Sequence, residues 1–126
     1  MARINTLFVP YWLAIKLKEK GFDRTCLASF SNKDKFNIGG YYYRVTHSPE
    51  STAIAPLYQQ VIDWLRETHF FHITLKHKPT SQTYGYVISG KFDETNWGVI
   101  VDKTFDKYEY YEALEKAIES ALDLIK

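Results

Sequence analysis

The chain has 126 residues, of which 45% are hydrophobic, 17% aromatic and 25% charged. That composition belongs to a globular chain with its own core, and it excludes fibrous and disordered classes. Sixteen basic side chains against fifteen acidic ones leave a net charge of +1, so no global field draws the chain to nucleic acid or to an anionic membrane.

The predicted elements follow in chain order. Thr6 to Val9 reads as a short apolar strand. Pro10 stands where the first residue of a helix would be, since its fixed φ suits that place. "PYWLAIKLKEK" continues as the helix, and Gly21 ends it. Phe22 is then placed to pack back on Leu17, as a Schellman ending requires. "TCLASFS" is the next strand. After the polar turn "NKDK", Phe36 to Ile38 and a glycine pair lead into "YYYRVTH". The glycines mark a turn or a bulge. In that strand Tyr41, Tyr43 and Val45 share one face, and Tyr42, Arg44 and Thr46 the other.

"SPESTAIAPLYQQVIDWLRETH" holds the second helix, with Pro56 as its first helical residue. Leu57, Val61, Trp64 and Leu65 form its apolar stripe, while Gln59, Gln60, Asp63, Arg66 and Glu67 face solvent. "FFHITLKHK", "YGYVISGKF" and "WGVIVD" read as an antiparallel meander, because "PTSQT" and "DETN" have hairpin lengths. The last helix starts at an Asp106 N-cap with Glu109 as its box partner, and Phe105 and Tyr110 as a hydrophobic staple. The predicted fold is α+β, one domain over residues 1–126. It is a two-layer sandwich of three helices on a mostly antiparallel sheet of about five to six strands.

Cys26 is the lone cysteine. It forms no internal disulfide and holds no zinc by itself, and its place in "CLASF" predicts a buried thiol. No apolar run approaches a membrane span. The start lacks the long apolar segment and cleavage site of a signal peptide, so a cytoplasmic location is expected.

His72-Ile73-Thr74-Leu75 resembles one half of the paired motif that builds the active site of 2H phosphoesterases. On a strand, Phe70, His72, Thr74 and Lys76 share a face and Phe71, Ile73, Leu75 and His77 the opposite one. The chemistry needs two histidines, one taking a proton and one giving it. His47, His69 and His77 are not followed by the motif, so a phosphodiesterase using His72 is the weaker reading. His72 and His77 have opposite parity and no cysteine or acidic cluster joins the histidines, so no metal is expected. Phosphate loops, dinucleotide fingerprints and nucleophile elbows are missing, and no cofactor is expected. Asp93 and Glu94 in "FDETN" read as a solvated turn. Tyr42 and Arg44 on one strand face, and His72, Thr74 and Lys76 on another, would together form a polar, basic surface with aromatics if those faces coincide. Such a surface stacks a base and neutralises a phosphate.

"FVPYWLAIKLKEKGFD" (Phe8 to Asp23) and "APLYQQVIDWLRE" (Ala55 to Glu67) resemble a family of small uncharacterised proteins of Bacteroidota and their phages and prophages. The resemblance implies an intracellular product of a mobile element or its host, with no catalytic residues to carry over. The expected function is a non-enzymatic binding protein that sequesters a host small molecule, a signalling nucleotide in its concrete form, as a counter-defence factor. The alternative is a module that inhibits or adapts a host protein, with Gln59, Gln60 and Arg66 as contacts and tyrosine or tryptophan as anchors. A homodimer is expected if an aromatic patch is left uncovered.

Overall fold

Pro10 and Gly21 bracket the first helix. In the computed structural model, which describes residues 7–43, 53–91 and 93–125 (backbone only over 39–43), α1 spans Tyr11–Glu19. Pro10 is its N-cap, with extended ψ, one position earlier than the sequence suggests. Leu13, Ala14 and Leu17 are buried on one stripe. At the end Gly21 adopts φ 87°, and the Phe22 N–H donates to the Leu17 carbonyl at 3.0 Å. That is the predicted Schellman closure, and Phe22 is buried.

The chain forms two compact units, residues 1–61 and 62–126, with the division inside α2 (Tyr58–His69). In the first unit, β1 (Cys26–Asn32), β2 (Lys35–Tyr43) and β3 (Ala53–Ala55) form an antiparallel sheet in the order β2-β1-β3. Cys26, Ala28 and Phe30 alternate inward, and α1 lies against β3, whose Ala53 and Ala55 are small and buried. Phe30 and Phe36 meet at 5.2 Å, and Phe8 reaches Phe36 at 5.4 Å. The Cys26 thiol is fully buried and donates to the Arg24 carbonyl; burial pushes it up to about 12.

Two expectations change here, and an alternative left open is decided. The strand expected over Thr6 to Val9 reduces to a single bridge, Phe8 with Leu57, and Thr6 lies outside the described residues. Ala53–Ala55, expected to lead into the second helix, is a strand on β1; Pro56 disfavours helical geometry in the residue before it, so Ala55 stays extended. The glycine pair lies within β2, where Cys26 faces Tyr43 but Ala28 faces Ile38. That is a bulge rather than a turn.

In the second unit, β4 (His72–Lys78), β5 (Thr83–Lys91) and β6 (Trp97–Tyr108) form the predicted antiparallel meander. Helix α3 (Tyr110–Asp123) covers one face of it through Leu114, Ala117, Ile118, Ala121 and Leu122. Ile88 and Tyr86 are buried on that face, and the Tyr86 hydroxyl is 2.8 Å from that of Ser120. Trp64 and Leu65 bury the apolar stripe of α2.

The fold is therefore α+β with three helices among the described residues, but the single sheet of five to six strands is two three-stranded sheets. β1 and β5 each have both edges paired within their own sheet. Alternation in sequence reveals which residues point inward, not which strand lies alongside. β6 also runs six residues beyond the predicted 97–102. Lys103, Phe105 and Lys107 are exposed in alternation with Thr104, Asp106 and Tyr108. The helix cap accordingly moves from Asp106 to Glu109, whose N–H donates to Glu112 Oε1 at 3.3 Å. Phe105 is 87% exposed, so it forms no staple. No helix among the described residues is long and apolar enough to cross a membrane.

Candidate functional site

Cross-strand register builds the outward face of the second sheet in rows. His72 lies opposite Ser89, and Ser89 opposite Val99. Thr74 lies opposite Val87, and Val87 opposite Asp102. Directly opposed residues share a face, so His72, Thr74 and Lys76 stand together on the exposed side, as their parity predicts, while Ile73 and Leu75 turn toward the Ile88 and Tyr86 side.

Beyond the His72 row lies a row that the sequence reading did not single out. Trp97 pairs with Lys91, and Phe70 precedes β4. The Phe70 and Trp97 rings meet edge to face at 6.0 Å and 87°. The Lys91 ammonium sits over both, 5.9 Å from each centroid. Phe70 is 48% exposed, Trp97 57% and Val99 54%. Three large apolar side chains thus stand half in water around one cation, a patch of the kind that marks a binding surface.

Local structure holds each member in place. Phe70 has φ 61°, a left-handed conformation that is an outlier for a bulky side chain. The Phe71 N–H donates back to the Leu65 carbonyl at 3.1 Å and closes the end of α2. His69 packs behind it, edge-on to Trp64 at 4.8 Å and stacked on Phe71 at 6.1 Å. Its Nε2 is buried without a hydrogen-bond partner among the described residues, and burial holds its pKa below the ordinary histidine value. On β5, Gly90 leaves room for the close approach of the Phe70 carbonyl, which would lie 2.6 Å from a Cβ there.

Trp97 is set by the turn before it. The Asp93 carboxylate accepts from the Asn96 side chain and from the Thr95 and Asn96 N–H groups. These bonds, the Asn96 amide first, hold its pKa down to about 2. Asp93 therefore shapes a hairpin loop, and the solvated-turn reading of "FDETN" gains a structural role. Between Ile88 and Ser89 the β5–β6 register shifts: Val101 faces Ile88, but Val99 faces Ser89. This bulge turns Val99 and Trp97 to the outward face.

Arg44 lies outside the described residues, as does the side chain of Tyr42, whose backbone belongs to β2 in the other sheet. Gln60 is occupied locally: its Oε1 accepts from the Leu57 N–H at 2.9 Å, and its Nε2 donates to the Thr25 carbonyl at 3.0 Å. Arg66 pairs with Asp63 at 3.1 Å, and Gln59 is exposed. His77 tilts against Tyr84 on the side opposite to His72. Among the described residues no three His, Cys, Asp or Glu side chains converge as a metal site.

The missed members left two marks in the sequence. "THFF" ends a helix with no glycine or asparagine to take the left-handed turn, and Trp97 directly follows a polar hairpin loop. No family model, curated protein or solved structure matches this chain.

Proposed function

We propose that the chain is a small binding protein that sequesters a compact anionic ligand with a flat ring, such as a signalling nucleotide, on the outward face of the β4–β5–β6 sheet. The observation that carries this reading is Phe70, a bulky residue held at φ 61° with its ring against Trp97 and beneath Lys91. Strained backbone of this kind gathers at functional sites. A base stacks on the exposed indole and phenyl surfaces, which is worth about 1–3 kcal/mol per base. Lys91 meets the phosphate as a point charge, for about 1.5–3 kcal/mol. His72 and Ser89 in the adjoining row supply hydrogen-bonding groups for the polar edge. These two increments come to about 2.5–6 kcal/mol before the loss of ligand freedom, which sets the expected affinity at millimolar or weaker. The resemblance to proteins of Bacteroidota and their phages gives sequestration a setting, removal of a host signal by a mobile element.

Calorimetric titration with mononucleotides and cyclic nucleotides tests the reading. Binding at one site is expected, weakened about tenfold or more by Trp97→Ala. An absence of heat with every nucleotide sinks it.

A second reading, a module that inhibits or adapts a host protein, draws on Phe105, which is 87% exposed on β6 with Lys78 over its ring. Under it, Phe105→Ser abolishes capture of the host protein and leaves nucleotide titrations unchanged.

A further inference from the structure

The outward face of the second sheet is not uniformly basic. Two residues along a strand advance about 7 Å, so the row of Thr74, Val87 and Asp102 lies about 13 Å from the row of Phe70, Lys91 and Trp97. Asp102 is fixed in place there. Its carboxylate accepts from the Thr104 hydroxyl and from the Thr104 N–H. These bonds, with a smaller contribution from Lys76, keep it ionised below the usual aspartate range. Lys76 therefore has its charge offset by Asp102, Lys78 at the same end turns to the Asp106 carbonyl and the Phe105 ring, and Lys91 stands at the aromatic end.

We infer that Asp102 is a specificity-determining residue: it admits a ligand of mononucleotide size at Phe70, Trp97 and Lys91 and disfavours a longer polyanion running along the same face. This rests on the nucleotide-binding reading above. Distance decides which ligands feel the charge. At physiological ionic strength exposed charges are screened over about 8 Å. A single phosphate at Lys91 lies beyond that range from Asp102. In a single-stranded oligonucleotide laid along β5 and β6, a later phosphate lies over Asp102 itself, where like charge opposes it. The near-balance of charge in the whole chain gives no compensating long-range attraction.

Asp102→Asn tests this, since the amide oxygen still accepts from the Thr104 N–H and the turn is retained. The probes are adenylate and uridylate, each as the mononucleotide and as a short single-stranded oligomer, with the heat of titration as the readout. In the wild-type protein the oligomers are expected to bind no tighter than the mononucleotides. In Asp102→Asn the oligomers gain about three- to fivefold, the scale of one exposed charge pair. The mononucleotides change by less than twofold, and the oligomer gain shrinks at molar salt, where screening acts within about 3 Å. The inference is overturned if wild-type protein already prefers the oligomers, or if Asp102→Asn binds them as weakly as wild type while mononucleotide binding persists. If no probe binds either protein, the nucleotide reading itself falls.

Discussion

Helices α1 and α2 end alike in handedness but not in residue or span, the closing bond reaching back five residues in α1 and six in α2. Both turn through a left-handed residue, and in both the next N–H reaches back to a carbonyl of the last turns, Phe22 to Leu17 and Phe71 to Leu65. In α1 the turning residue is Gly21, at φ 87°. In α2 it is Phe70, at φ 61°. Glycine enters this region freely, whereas a side chain there carries about 1–2 kcal/mol of strain. The first ending serves the fold alone. The second accepts strain and directs an aromatic ring onto the face that Trp97 and Lys91 share. A residue that stability alone would not choose marks the candidate site more sharply than the polar residues of β4.

The comparison breaks most readily at Gly90. A Cβ there would meet the Phe70 carbonyl oxygen at 2.6 Å and the Phe71 ring at 3.2 Å. Backbone cannot yield as a side chain does, so Gly90→Ala is expected to lower stability by about 2–3 kcal/mol in urea melts. A neutral result would mean that Phe70 is not seated against β5. Gly21→Ala should cost about 1–2 kcal/mol. No atom lies within 4 Å of the added Cβ, so that loss measures the left-handed backbone alone. At Phe70 the sign reverses: Phe70→Gly should be about 1 kcal/mol more stable than Phe70→Ala, since both lose the ring and only glycine relieves the strain. Equal stabilities would remove the distinction between the two endings.

The smallest expected effect comes from His69 behind Phe70. Its folded-state pKa is lowered by burial. Below its unfolded value of about 6.5 the folded chain binds fewer protons than the unfolded one, so stability falls as pH drops through that region, and this contribution is constant above it. Replacement of His69 by Phe should flatten the dependence between neutrality and mild acid in urea melts. An unchanged slope would assign it to other groups.

Much of this was legible in the sequence. The buried stripe of α3, the Gly21 ending, the β4–β5–β6 meander and the outward grouping of His72, Thr74 and Lys76 follow from period and turn chemistry. The misses have separate causes, and for the aromatic row the cause is local geometry that shifts parity. Trp97, Val99 and Val101 have one parity in sequence, and only the bulge opposite Ile88 and Ser89 separates the outward pair from the inward residue. Asp102 looked like a strand end because no pattern announces that the strand continues to Tyr108. Ala53–Ala55 reads as helix-forming alone and becomes a strand because Pro56 follows and β1 offers an edge. The pairing of the faces of Tyr42 and His72 assumed one sheet, and the strands belong to two.

Cys26 offers a practical consequence. The sole thiol of the chain is sealed from solvent and held up to about 12, so maleimide at neutral pH should pass it by. A cysteine introduced at an exposed position such as Thr74 would then be the only reactive sulfur, and a dye attached there would report on the outward face without any need to rebuild the interior.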